Sequence, residues 1–356
     1  MKIRSIKLQN YKKFVSEKII NFTNTDGEIN EKTLLIGDNG SGKTSILQAI
    51  VSLIASATRL NFYPSRLDWS GYDYRFIQNG NMPIKIEIEV EFSENEIKST
   101  QKYLKNLNDK GYKLRETISN SNKVKLSLNY NKDRLFIING GLNDLKKFNG
   151  YQYAKMLSSY VKNKTQLFEN VGNIYWYNEQ RNAENLSFLL DDSKINQLDS
   201  IRNYLSSSYS FHISLKNGAR RLSEGEFDFY AKLSQLYTQV FPDRKFVGPA
   251  PNFDVYEKAK TPDFFLNDGK NNYELAGMSA GERAIFPILM DFARWNINNS
   301  IIIIDEIELH LHPPLQQQLI RVLSKLGDNN QFIFTSHSDS VFNMFESSEI
   351  IRLENE

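Results

Sequence analysis

The sequence predicts an α/β fold carrying an antiparallel β-subdomain and an inserted helical lobe, and three observations predict it. The first is Thr33-Leu34-Leu35-Ile36, a short apolar run that reads as a buried strand. Glycine-rich Gly37-Asp38-Asn39-Gly40-Ser41-Gly42-Lys43-Thr44 follows it, and residues 45–57 then place Ile46, Leu47, Ile50, Leu53 and Ile54 at helical spacing. The second is an alternation of helix, strand, helix and strand over residues 280–295, 300–304, 314–326 and 331–335. The third is the strict alternation of Ile84-Lys85-Ile86-Glu87-Ile88-Glu89-Val90-Glu91-Phe92, the mark of an antiparallel strand with one face in water.

The glycine segment matches the phosphate-binding pattern of Gly, four residues, Gly-Lys-Ser/Thr at every fixed position. Glycines let backbone N–H groups curl around phosphate oxygens, and the helix N-terminus adds its positive end. Lys43 is expected to reach the β- and γ-phosphates of ATP and the Thr44 hydroxyl to sit on Mg²⁺. The expected nucleotide-binding set is Gly37, Asn39, Gly40, Ser41, Gly42, Lys43, Thr44 and Ser45.

Ahead of this loop, residues 2–9 and 15–22 read as two strands joined by Asn10-Tyr11-Lys12-Lys13-Phe14, with a polar loop over 23–32. After the first helix, residues 56–83 are irregular and aromatic. Val124-Leu126-Leu128-Tyr130 alternates as residues 84–92 do, and 134–139 reads as a third strand before the turn Asn139-Gly140-Gly141. Residues 84–140 are therefore a β-subdomain, interrupted by a lysine-rich helix near 94–107. Residues 150–170 read as helix, and 173–177 as a strand ending in Asn178-Glu179-Gln180-Arg181. A polar helical lobe is expected over 183–262 and the second half of the nucleotide-binding core over 264–353. That half opens with a hairpin, 264–266 and 273–275, and closes with a strand near 349–353.

Composition narrows the function classes. At 356 residues, 40% hydrophobic and 24% charged, the chain is an ordinary globular protein with enough material for a sizeable core. No stretch approaches the run of about 18 apolar residues that a membrane helix needs. The start, Met1-Lys2-Ile3-Arg4-Ser5-Ile6-Lys7-Leu8, lacks the apolar core of a signal peptide, so the expected location is the cytoplasm. Zero cysteines exclude disulfides, thiol catalysis and cysteine-ligated metals. A net charge of +2 makes no case for a polyanionic partner by itself.

Ser300-Ile301-Ile302-Ile303-Ile304-Asp305-Glu306 is a buried strand that delivers two carboxylates at its C-terminal end, the end that faces the ligand in open α/β sheets. Asp305 is expected to hold Mg²⁺, and Glu306 to orient and polarise the attacking water. In Met278-Ser279-Ala280-Gly281-Glu282-Arg283, Ser279 is a helix N-cap with Glu282 three residues on, a capping box.

Taken together, these stretches resemble the ABC-type ATPases, and among them the SMC-like, RecF-like and OLD-like branch. The resemblance covers residues 1–55 and 264–353, and is one of layout only between them. It implies an ATPase head in which the serine and glycine of a Leu-Ser-x-Gly-Glu-like signature contact the γ-phosphate held by the other protomer. Ser279, Gly281 and Glu282 match that signature, with Met278 replacing leucine. Leu222-Ser223-Glu224-Gly225-Glu226 looks similar, but the family places the motif shortly before the carboxylate strand. Ser279 lies 26 residues before Asp305, and Ser223 lies 82 before it. Thr335-Ser336-His337-Ser338 resembles the switch motif whose histidine senses the γ-phosphate. Gln180 sits where the family places a glutamine linking Mg²⁺ and water to the helical lobe; a surface glutamine is the alternative. Glu308-Leu309-His310-Leu311-His312-Pro313 resembles a stretch near the family's dimer interface, although its alternation also suits a metal site.

The resemblance implies a homodimer closing head-to-tail around two Mg-ATP, and the lack of a long apolar stretch leads us to expect no membrane partner. Its purpose divides into two readings. One is DNA-associated work, in repair or as the sensor subunit of a phage-defence system with a separate effector. Lys98, Lys102, Lys105, Lys110, Lys113, Arg115, Lys123 and Lys125 would then track phosphates, against the alternative of a solvated lysine-rich face. The other is a nucleotide-gated scaffold that holds a toxic effector without using DNA. A transporter subunit fits poorly, because Glu282 replaces the glutamine common in transporters.

Overall fold

A computed structural model describes residues 1–58, 62, 64–74, 83–114, 117–131, 134–137, 142–161, 165–180, 197–250 and 261–354. In chain order its elements begin with β1 (Lys2–Gln9), β2 (Lys18–Asn21), β3 (Lys32–Gly37), α1 (Lys43–Thr58), β4 (Ile84–Glu91), α2 (Glu94–Asp109), β5 (Lys123–Asn131) and β6 (Arg134–Ile137). Then come α3 (Leu142–Leu145), α4 (Gly150–Leu157), α5 (Thr165–Phe168), β7 (Ile174–Tyr177), α6 (Gln197–Lys216), α7 (Phe229–Val240) and β8 (Lys245–Ala250). The last are β9 (Asp263–Asn267), β10 (Asn272–Glu274), α8 (Ala280–Trp295), β11 (Ile301–Ile304), α9 (Pro313–Leu323), β12 (Gln331–Thr335), α10 (Asp339–Phe342) and β13 (Ile350–Leu353). They form two compact units, one of Met1–Glu179, Ile297–Glu308 and Gly327–Glu356, the other of Gln180–Asn296 and Leu309–Leu326.

The first unit holds two five-stranded sheets. One is parallel, in the order β13-β3-β12-β11-β7. The central strands β11 and β12 are buried along their length, as continuous apolar runs in a parallel sheet require, whereas Arg352 of the edge strand β13 is exposed. The other is antiparallel, β2-β1-β4-β5-β6, so the sheet read from residues 84–140 also takes in the two N-terminal strands. In β4, Ile84, Ile86, Ile88 and Val90 are buried while the residues between them are half-exposed. On that outer face Glu89 lies opposite Lys125 and Glu91 opposite Lys123, a cross-strand match of opposite charges.

Helix α1 touches β3 and β7 of the parallel sheet and β4 and β5 of the antiparallel one. The sequence marks one apolar face on it, yet Gln48, Ala49, Val51, Ser52 and Ala55 are buried as well, as a helix packed on two sides requires. Its inward polar groups are satisfied: Lys12 Nζ donates to Gln48 Oε1 at 2.5 Å, and Ser52 Oγ donates to the Ala49 carbonyl at 3.1 Å. Burying each large aliphatic side chain of α1 contributes about 1.5–3 kcal/mol, which anchors the loop that precedes it. A satellite core joins Tyr103, Leu104 and Leu107 of α2 to Tyr153, Ala154 and Leu157 of α4. The helix read over 150–170 is two pieces; α4 ends after Leu157, where the Ser158 N–H is shared between the Ala154 and Lys155 carbonyls at 3.0 and 3.3 Å and the Tyr160 N–H bonds to the Leu157 carbonyl at 2.9 Å. The turn expected at 139–141 lies outside the described residues.

The second unit gathers α6, α7, α8 and α9 with the sheet β10-β9-β8. Its core is aromatic, with the Tyr237 and Phe246 rings stacked at 4.7 Å and Phe264 and Phe286 edge-on to Phe246. Strand β8 gives little sign of itself in the sequence. Gly248 and Pro249 both weaken strand propensity, and Pro249 is tolerated because β8 is an edge strand with a register shift between Phe246 and Gly248.

Candidate active site

Parallel pairing brings three strand ends of the first unit to one edge. The glycine loop follows β3, the two carboxylates follow β11, and Ser336-His337 follows β12, which lies between those two strands. Residues Thr44 and Asp305, 261 positions apart, thereby meet: Thr44 Oγ1 donates to the fully buried Asp305 carboxylate, 3.0 Å from Oδ2 and 3.3 Å from Oδ1. The loop needs its glycines. At Gly37, φ +151°, a Cβ would lie 2.4 Å from the Leu353 carbonyl oxygen; at Gly42, φ +98°, it would lie 2.6 Å from the Phe14 ring. Lys13 Nζ donates to the Gly40 carbonyl at 2.9 Å, so the turn after β1 braces the loop. Among the described residues, the Ser41 hydroxyl is buried with no hydrogen-bond partner.

Lys43 is folded across the loop, with Nζ donating to the carbonyls of Gly37 at 2.8 Å and Asp38 at 3.2 Å. Burial lowers its pKa, opposed by Glu306, Asp305, Glu308 and Asp38. The Glu306 carboxyl is pushed up to about 7 by burial, then by the charges of Glu308 and Asp305, with Lys43 pulling the other way. Glu306 takes a left-handed φ of +48°, a cost of about 1 kcal/mol or more for a non-glycine residue. Its backbone N–H holds that conformation by donating to Thr335 Oγ1 at 2.8 Å, and the same hydroxyl donates to Asp305 Oδ1 at 2.5 Å. His337 Nε2 stands 3.4 Å from Glu306 Oε1, and the His337 N–H donates to Glu308 Oε1 at 2.5 Å. Thr335 and Glu308, to which the motifs alone give no role, are therefore parts of this site.

In the second unit Ser279 caps the sixteen-residue helix α8 in a capping box with Glu282. Glu282 is 1% exposed and turned inward, where its carboxylate accepts from Ser279, Tyr237, Tyr273 and Arg244. Burial opposes its ionisation, but the Arg244, tyrosine and serine donors outweigh burial and hold its pKa below the usual range. A carboxylate so occupied is placed to orient Ser279 rather than to meet an anion itself. Gly281 permits a close approach, since a Cβ there would lie 2.9 Å from the His310 carbonyl oxygen. The rival stretch at 222–226 is an exposed turn, with the Ser223 N–H donating to Glu226 Oε2 at 3.0 Å.

Gln180 is exposed and opens the second unit, three residues beyond Tyr177, whose carbonyl accepts from the Asp305 N–H at 2.9 Å. Lys98, Lys102, Lys105, Lys110 and Lys113 are exposed, with Lys98 paired to Glu94; Arg115 lies outside the described residues. Among the described residues no three of His, Cys, Asp and Glu converge as a metal cluster, and no helix is long and apolar enough to cross a membrane. The oxygen pair Thr44 and Asp305 does fit Mg²⁺, a hard cation that takes one or two protein oxygens beside phosphate oxygens and water.

Residues 1–341 match the AAA ATPase domain family. The chain is 32% identical over 190 residues to the Retron Ec83 probable ATPase of Escherichia coli, covering 50% of this chain and 30% of that one. It is 25% identical over 405 residues to the Retron Vc95 probable ATPase of Vibrio cholerae serotype O1 biovar El Tor, covering 98% of this chain and 73% of that one. It thus spans under a third of the first relative's length and about three quarters of the second's. Two solved structures share the fold at 15% identity. One is the SmcHead bound to the C-winged helix domain of ScpA, with TM-score 0.53 over 99% of this chain and 94% of that one. The other is an Smc head domain with an extended coiled coil bound to the C-terminal domain of ScpA derived from Pyrococcus furiosus, with TM-score 0.51 over 99% and 93%.

Proposed function

The chain belongs to the AAA ATPase domain family, with an SMC-like head fold, and from that premise we propose that it hydrolyses ATP at the Thr44–Asp305 site as a head-to-tail homodimer. The observation that carries the reading is the meeting of Thr44, Asp305, Glu306 and His337 at one sheet edge. Lys43 leaves the two loop carbonyls and takes phosphate oxygens, while the loop N–H groups from Asn39 to Ser45 cradle the rest. Thr44 and Asp305 hold Mg²⁺, with Gln180 as a further link. When bound, the ion neutralises charge on the phosphates. Glu306 accepts a proton from the attacking water, and His337 beside it reads the γ-phosphate. Ser279 and Gly281 come from the partner subunit, with Glu282 setting their geometry.

ATP binds the closed dimer better than the open one, so its differential affinity drives closure and hydrolysis reverses it. We further propose that this cycle serves DNA-associated work with a separate effector in the cytoplasm, in repair or phage defence. The two retron ATPase relatives support that reading. Light scattering on Glu306→Gln tests the closure step: with saturating ATP it accumulates as a dimer, and a variant that stays monomeric overturns the reading.

A further inference from the structure

We propose that Arg244 and Ser279 together form the group that grips the terminal phosphate of a nucleotide held by a second copy of this chain. The proposal rests on the head-to-tail reading above and adds to it a residue outside the signature motif.

Glu282 is the centre of the geometry. Its Oε2 accepts from the Ser279 N–H at 2.8 Å and the Ser279 hydroxyl at 2.7 Å, and pairs with Arg244. Its Oε1 accepts the hydroxyls of Tyr237 and Tyr273. Five donors thus converge on a carboxylate that offers about four lone-pair sites, so one of them is surplus. Ser279 is the donor with somewhere else to go. Turning its hydroxyl toward an anion leaves Glu282 fully satisfied by Arg244, both tyrosines and the Ser279 N–H.

Arg244 faces the same way. Its NH1 is 3.5 Å from Ser279 Oγ, and its side chain is 31% exposed where Glu282 is 1%. Among the described residues its Nε and NH2 make no hydrogen bond, so the guanidinium presents unspent donors beside the serine. Glu282 and the Phe241 ring, 5.4 Å from the guanidinium carbon, fix its orientation. The planar fork matches a phosphate in a way that a lysine point charge does not. Tyr237, held protonated by burial and by the Glu282 charge, keeps its donor on the carboxylate throughout. Tyr237, Tyr273 and Glu282 are positioning residues, whereas Arg244 and Ser279 make the contact.

Subunit mixing is the test, with phosphate release from ATP as the readout for Arg244→Lys, Lys43→Ala and their equimolar mixture. Each variant alone is expected to fall about tenfold or more below wild type, since a lysine keeps the charge beside Glu282 but loses the fork. A mixed dimer has one site carrying both defects and one site intact. The mixture therefore recovers to about a quarter of wild-type activity, because half the dimers are mixed and half their sites are whole. Activity that stays at the level of the single variants, or an Arg244→Lys protein as active as wild type, overturns the proposal. Should Arg244→Lys fail to fold, Arg244→Met with Glu282→Gln removes both charges of the pair and takes its place. A Glu306→Gln protein that dimerises with ATP alongside a mixture that does not recover defeats this proposal alone; one that never dimerises defeats the reading beneath it.

Discussion

Replacing Thr335 with valine removes one hydroxyl, barely changes the side chain's shape, and strikes the atom that links both carboxylates of the site. Thr335 is fully buried. Its Oγ1 donates to Asp305 Oδ1 at 2.5 Å and accepts the Glu306 N–H at 2.8 Å. The first bond has a charged acceptor, worth about 1.5–3 kcal/mol, and loss of the second strands an N–H at a cost of about 1–3 kcal/mol. After allowing for the added methyl group, the net loss is about 2–4 kcal/mol, or a fall in Tm of about 3–5 °C for a protein of this size. Hydrolysis suffers separately, because Glu306 at φ +48° loses the tether that holds it. We expect kcat to fall about 10- to 100-fold with KM changed little, since ground-state contacts with nucleotide remain. Thr335→Ser keeps the hydroxyl and should retain most activity. Thermal denaturation and steady-state phosphate release decide the matter: a valine variant with wild-type kcat and Tm would refute the idea that this hydroxyl organises the carboxylates.

Three further predictions concern the same unit. In protein free of nucleotide and metal, Glu306 keeps its proton up to about pH 7 when folded but only to about 4.5 when unfolded, so stability falls as pH rises through that window. Glu306→Gln removes the effect, and its Tm advantage over wild type should widen from pH 5 to pH 8; an equal gap at both pH values contradicts the cause. Gly42→Ala meets the Phe14 ring and a φ of +98°, whereas Gly40→Ala meets strain but open space, so nucleotide titration should show the larger loss at Gly42. Charge reversal at Lys102, Lys105 and Lys113 should weaken duplex DNA binding and flatten its salt dependence; unchanged affinity removes these lysines from any DNA surface.

The sequence read well wherever local pattern and chemistry agree. Strand, glycine loop and helix occur over residues 32–58, and apolar strands end at Asp305 and Thr335, because buried parallel strands need continuous apolar runs and their C-terminal ends carry the polar groups. Long-range pairing was less legible. Nothing local says that β1 lies between β2 and β4, or that α1 is covered on two sides. Strand β8 hides behind Gly248 and Pro249, tolerated only because it is an edge. Glu282 shows the same limit at the site. Its spacing from Ser279 reveals the capping box, but Tyr237, Arg244 and Tyr273, which occupy its carboxylate, are brought there by packing. Thr335 stands inside the Thr335-Ser336-His337-Ser338 motif, yet its hydroxyl acquires a role only when β12 lies beside β11.

Steady-state ATP hydrolysis by the purified chain, with and without duplex DNA and beside Glu306→Gln, tests the central claim most directly. Turnover that vanishes in the variant while nucleotide binding persists is the predicted result, and stimulation by DNA would add the DNA-associated role. Turnover that survives in Glu306→Gln would contradict the assignment of this site as the seat of hydrolysis.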